Sequence, residues 1–197
     1  MLKKKQKAKR LHRKTIVLVV TGSIAAYKAC DLVKLLREEG ARVLCVMTEA
    51  AKQFVTPLVL RARSGEPVFH DFFKTDFPYG VIHTSLAEEA DLILVAPASA
   101  NFIARLAAGM ADDLATCIIL ATRKPVALAP AMNDQMYAHP LTRANIERLK
   151  GIGYRFVGPV EGPLVCGKEG TGHIEDPASI LEQVIHVVAS KKRSKRC

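Results

Sequence analysis

Several short stretches hold side chains that could do chemistry. In "PAMNDQMYAHP" (130–140) an apolar run, "PVALAP", ends in a Met-Asn pair, and a second Met, an aromatic and a Pro follow. A surface turn uses an Asn or a Pro, but it has no use for Met132, Met136 and Tyr137 beside Asn133. The stretch therefore asks for another role.

"TGSIAAYK" (21–28) reads as a strand-to-helix turn with one Gly and one Ser. Gly22 lets the backbone approach a ligand closely. Ser23 offers a hydroxyl, and the helix start offers free N–H groups to a phosphate. The turn is neither G-x-G-x-x-G nor a Walker loop, which disfavours classical dinucleotide binding and NTP hydrolysis. An ordinary tight turn and a phosphate cradle both fit. Thr48 is likewise either a helix N-cap or a second phosphate ligand. In "APASANF" (96–102), Ser99 is either a cap or a ligand. Asn101, read as buried, needs partners, and a heteroaromatic ring edge would supply them.

His83 precedes a strand in "GVIHTSLAEEAD", where a structural and a catalytic reading are both open. His70, His139, His173 and His186 show no metal spacing and read as structural, so no metal is expected. The cysteines are Cys30, Cys45, Cys117, Cys166 and Cys197. An odd, scattered set without C-x-x-C fits a reducing, cytoplasmic setting and no disulfide framework. Cys30, Cys45 and Cys117 lie in apolar segments and read as small core residues. Cys166 lies in a Gly-rich loop and does not.

The elements that must position these residues alternate. Apolar runs at 15–20, 41–47, 91–97 and 125–130 read as strands, with a last short one at 154–157. Helical patterns fill the stretch up to Glu39, with a stop at Gly40, and also 100–121, 139–150 and 177–190. Thr48 caps a short helix. Residues 56–82 read as irregular with one short strand, and 158–176 as a Gly/Pro-rich loop. Continuous apolar strands between amphipathic helices imply an α/β fold, a doubly wound parallel sheet of Rossmann-like or flavodoxin-like type with helices on both faces. Ligands of such sheets bind at the carboxyl ends of the strands.

The 197 residues suggest one domain, and no apolar run is long enough to span a membrane. The net charge of +10 is concentrated at the ends. Residues 1–14 carry eight Lys/Arg and 191–197 carry five, with no acid in either. Without those thirteen, 16 basic residues face 19 acidic ones, and the body at 15–190 carries −3. The ends read as solvated, solubilising tails rather than nucleic-acid-binding arms.

Together "TGSIAAYK", "IHTSLAEEADLILVAPASANFIARLAAGMADDLATC", "PAMNDQMY" and "LVCGKEGTGHIEDP" resemble the homo-oligomeric flavin-containing cysteine decarboxylases, over about residues 15–188. The nearer branch acts on 4′-phosphopantothenoylcysteine in coenzyme A biosynthesis. The resemblance implies FMN, because decarboxylating a cysteine carboxylate needs an electron sink that no side chain here provides. In the family, flavin takes a hydride from the thiol-bearing carbon. The resulting thioaldehyde accepts the electrons as CO₂ leaves, and the enethiol is then reduced to 4′-phosphopantetheine.

By matching motifs, the resemblance assigns Gly22, Ser23 and Ile24 to the FMN phosphate, helped by Thr48. Ser99, Ala100, Asn101, Phe102 and the backbone at Ala131 go to the flavin. His83 becomes the catalytic base. Asn133 binds the substrate carboxylate, with Met136 packed beside it. Cys166 becomes the proton donor on a flap at 158–176, where Val165 and Ile174 touch substrate. Three positions depart from the family: Tyr137 stands where Trp is usual, Phe102 where Thr is common, and His173 at a variable flap position. Family members assemble as trimers or multiples of trimers, with the site near a subunit interface. Many bacterial versions are fused to a ligase of about 200 further residues, so a monofunctional chain is expected here. Two other readings are an oxidative decarboxylase of peptidyl cysteines, whose family members lack the loop cysteine, and a non-enzymatic FMN-binding regulatory subunit.

Overall fold

The computed structural model describes residues 8–73, 80–163, 167 and 169–190. The apolar runs form strands: β1 (Thr15–Val20), β2 (Arg42–Met47), β3 (Val68–Phe69), β4 (Leu92–Ala98), β5 (Val126–Pro130) and β6 (Arg155–Phe156). They build one parallel sheet in the order β3-β2-β1-β4-β5-β6. The winding reverses between β1 and β4, so their carboxyl ends open a crevice.

Helices α1 (Lys28–Glu38), α2 (Pro57–Ser64) and α8 (Pro177–Ser190) cover one face. Helices α3 (Ile82–Glu89), α4 (Ala100–Ala107), α5 (Leu114–Ala121) and α7 (Pro140–Gly151) cover the other. Ile16, Leu18 and Val20 pack into the first layer with Leu32, Leu36 and Val184. Val17 and Val19 pack into the second with Leu86, Ile103 and Ile118. Both faces of the sheet are covered by helices, which is why its strands are continuous apolar runs. Each fully buried Val, Leu or Ile contributes about 1.5–3 kcal/mol. No described helix is long and apolar enough to cross a membrane.

Four expectations change. Residues 56–82 contain a full helix, α2, besides the short strand β3, and α3 begins only at Ile82. Helix α2 starts at Pro57 and stops at Gly65, whose φ of +72° suits glycine. Only Leu60 and Ser64 of α2 are buried, so its apolar stripe is faint in sequence. Residues 158–176 hold an antiparallel hairpin, β7 (Val160–Pro163) and β8 (Glu169–His173). Of the three cysteines assigned to the core only Cys45 is fully buried, and burial pushes its thiol up to about 12. Cys30 and Cys117 are half-buried.

The N-terminal run is also not solvated throughout. Leu11 is fully buried in the α1/α8 layer, and its amide donates to the Glu39 carbonyl at 2.9 Å. Arg10 pairs with Glu39 (2.6 Å) and Glu182 (2.8 Å), and Lys14 with Asp91 (2.7 Å). A buried leucine and carboxylates on the body hold this segment, so the fold begins before residue 15. Residues 1–7 and 191–197 lie outside the described residues.

Candidate active site

The loops after β1, β2, β4 and β5 share one edge of the sheet, and each supplies a helix N-cap. Ser23, in extended backbone, caps the short turn at 24–27 by accepting the Ala25 N–H at 3.3 Å. Thr48 caps the turn at 49–53 by accepting the Ala51 N–H at 3.3 Å. Ser99 caps α4 through the Phe102 N–H at 3.3 Å. Asn133 caps α6 (Asp134–Ala138) through the Gln135 N–H at 2.9 Å and the Met136 N–H at 3.4 Å. Capping leaves ligand binding open at these residues. A hydroxyl that accepts one amide keeps a second lone pair, and a capping Asn keeps its NH₂.

These loops surround one cavity of about 1320 Å³, larger than the roughly 300–1,000 Å³ typical of a single small-ligand pocket. Gly22 lines it, and a Cβ there would lie 2.5 Å from the Ala50 Cβ. Only glycine lets the β1 and β2 loops approach so closely. Gly172, His173 and Ile174 of the hairpin side complete the wall. The hairpin rests directly on the Asn133 turn. Met132 N–H donates to the Gly172 carbonyl at 3.0 Å, and a Cβ on Gly172 would meet the Met132 carbonyl at 2.2 Å.

Every loop residue assigned to cofactor lines this cavity, as do Asn133, Met136 and Ile174. Two of them differ from expectation. Asn101 is exposed to the cavity, not buried, because it occupies the solvent-facing first turn of α4. Phe102 is only 1% exposed, and its ring belongs to the second core layer, which leaves mainly its backbone at the site. His83 does not line the cavity. It lies on α3, stacked on Phe72 with ring centroids 5.3 Å apart, and its buried Nδ1 has no hydrogen-bond partner among the described residues. Val165 and Cys166 lie outside the described residues.

The sequence reading assigned no role to the cavity's charged groups. Arg105 Nε contacts Asp112 at 3.0 Å, and its Nη2 contacts Asp113 at 2.9 Å. Burial lowers the Arg105 pKa, but these carboxylates outweigh it and the net shift is upward, while the guanidinium holds Asp112 below its ordinary value. Lys28 Nζ lies 2.9 Å from His173 Nε2. Lys28 ends the "TGSIAAYK" stretch, so its position was visible, but its partner 145 residues away was not. Among the described residues no cluster of three or more His, Cys, Asp or Glu could hold a metal.

A family model described as Flavoprotein matches residues 4–189. The chain belongs to the flavoprotein family. This flavoprotein is 46% identical over 172 residues to the coenzyme A biosynthesis bifunctional protein CoaBC of Bacillus subtilis, covering 87% of this chain and 42% of that protein. It therefore spans less than half the length of that bifunctional relative. A Streptococcus mutans protein named a probable phosphopantothenoylcysteine decarboxylase is 46% identical over 173 residues, covering 87% of this chain and 97% of that protein. Among solved structures, a PPC decarboxylase mutant complexed with pantothenoylaminoethenethiol has a TM-score of 0.79 at 31% identity, covering 87% of this chain and 96% of that one. The FMN-dependent cysteine decarboxylase SpaF has a TM-score of 0.80 at 30% identity, covering 91% and 99%.

Proposed function

We propose that this flavoprotein binds FMN in the cavity and decarboxylates 4′-phosphopantothenoylcysteine to 4′-phosphopantetheine. The observation that carries the reading is the convergence of the Gly22–Ser23 turn and the Asn133 turn on one cavity with room for two ligands. The chain's own residues fit the cofactor. The Gly22–Ala50 approach leaves the backbone at 22–24 bare, with the Ser23 and Thr48 hydroxyls beside it, as a phosphate requires. Asn101 presents an amide to the same space for a polar ring edge.

Bound there, FMN supplies reversible two-electron chemistry at the thiol-bearing carbon. The protein must orient the carboxylate without favouring its charged form over the transition state. Asn133 suits this. Its Oδ1 is engaged by the Gln135 and Met136 amides, which leaves the neutral NH₂ to donate to the carboxylate. Ile174 and Met136 supply apolar walls. By motif, Val165 contacts substrate, and Cys166 gives the proton that completes the saturated product.

His83 takes the proton released as substrate is oxidised, and it enters as His83 of the partner subunit in a trimer or a multiple of trimers. Its separation from its own chain's cavity supports this. So does the apolar surface left open at Ile24, Tyr27 and Met136, which are each at least half exposed, and at Val81 beside His83. Mixing His83→Asn protein with Asn133→Asp protein, which is impaired in substrate binding, tests the sharing. Mixed oligomers regain part of the activity if sites are shared, and gain none if each chain works alone.

The function itself is tested by anaerobic incubation with 4′-phosphopantothenoylcysteine, following flavin colour and product mass together. A yellow protein that makes the saturated thiol is expected. A product two hydrogens lighter would mean that the chain stops at the enethiol. A colourless protein that FMN cannot reconstitute would overturn the proposal.

A further inference from the structure

Lys28 and His173 meet across the cavity. Lys28 opens α1 just after the turn at 24–27, and His173 ends β8 of the hairpin. The ammonium donates one of its three N–H groups to His173 Nε2 at 2.9 Å. Among the described residues, the other Lys or Arg in the cavity lining, Arg105, is already held by Asp112 and Asp113. Lys28 has no carboxylate partner among the described residues. Its contact is half-buried, with two N–H groups left to donate. A half-buried cation beside an imidazole, in a cavity, suits an anion with several acceptor oxygens.

We propose that Lys28, positioned by His173, receives a phosphate monoester. This rests on the function proposed above, in which the cofactor and the substrate each carry one such group. Lys28 donates its remaining N–H groups to the phosphate oxygens. His173 holds the ammonium toward the cavity and links the bound anion to the hairpin seated on Met132.

The test compares phosphorylated and unphosphorylated ligands on the full chain. FMN retention is followed by flavin fluorescence as the holoprotein is diluted, with riboflavin-loaded protein as the counterpart. KM is measured for the substrate with and without its phosphate. Lys28→Gln is expected to weaken one phosphorylated ligand by on the order of tenfold or more, as loss of a charge-assisted hydrogen bond does. Its unphosphorylated counterpart is expected to be unaffected, and Lys28→Arg to retain most of the preference. A loss confined to FMN assigns the site to the cofactor, and a loss confined to the substrate assigns it there. Equal losses with and without phosphate, or no loss at all, would overturn the proposal.

Inorganic phosphate titrated into the unaltered protein gives a readout that needs no turnover. It is expected to shift the His173 ring resonances, and to do so far less in Lys28→Gln. Unmoved His173 resonances would count against the site even if decarboxylation occurs. Phosphate binding that depends on Lys28, without decarboxylation, would leave the site standing and remove the activity.

Discussion

Thr21 and Pro97 join the two strands at which the winding reverses. The Thr21 hydroxyl donates to the Pro97 carbonyl at 2.7 Å and accepts the Ser99 N–H at 3.0 Å, with Thr21 only 1% exposed. Thr21→Val keeps the shape but strands a buried carbonyl and a half-buried amide. A loss of about 2 kcal/mol is expected, with weaker FMN retention because the turns at 22 and 99 lose their tie. Urea unfolding with and without FMN measures both effects, and an unchanged midpoint would contradict the first.

Gly22→Ala places a methyl 2.5 Å from the Ala50 Cβ. The two loops must part, at about 1–3 kcal/mol, and the cradle widens. We expect a stable but largely colourless protein. Ala50→Gly in the same chain removes the clash and restores colour. Failure of that double variant to rescue would point to a cause other than crowding.

Asn133→Asp keeps the cap, since a carboxylate oxygen accepts the Gln135 and Met136 amides as the Asn oxygen does. What changes is the donor, now an anionic oxygen facing the substrate carboxylate. Thermal stability is expected to hold while KM rises by at least about tenfold, the cost of about 1.4 kcal/mol or more of like-charge repulsion. An unmoved KM would remove Asn133 from carboxylate binding.

Leu11→Ala empties a fully buried site in the first core layer. The expected cost is about 2–5 kcal/mol, read by chemical denaturation. If deleting residues 1–14 leaves stability untouched, the packing of this segment is not expressed in solution.

Partial burial of Asp91 alone would raise its pKa. Lys14 at 2.7 Å and the Thr15 N–H at 3.0 Å outweigh that and hold it below the usual carboxylate value. A carboxyl with a lowered folded pKa binds fewer protons folded than unfolded. Its contribution is full above the unfolded value of about 3.9 and fades as pH falls through the folded value. The Tm gap between the native chain and Asp91→Asn should therefore be widest near neutral pH and narrow toward pH 3. A gap independent of pH would mean that the ion pair adds nothing.

Sequence and structure agree most closely where the signal is local. Val17 and Leu18 belong to an unbroken apolar run because both faces of the sheet are covered, and the run itself announces a buried strand. Gly40, with φ of +88°, stops α1 where a glycine after the last apolar turn predicts it. Thr48 and Ser99 sit at strand-to-helix turns, where their residue types already offered a cap as one of two readings.

Other features depend on partners far away in the chain. The strand "EGTGH" has no apolar alternation, and its shape comes from docking Gly170 and Gly172 against Asp134 and Met132. Leu11 sits in a run of cations whose burial requires α1 and α8 to be in place. By itself the sequence determined the alternating elements, the parallel sheet and the loops at its active edge, because each follows from short-range periodicity and turn chemistry. Only the tertiary structure decided that Lys28 meets His173, that Phe102 turns its ring into the core and that His83 lies apart from its own cavity. Those outcomes depend on which surfaces pack together, and no spacing along the chain encodes that.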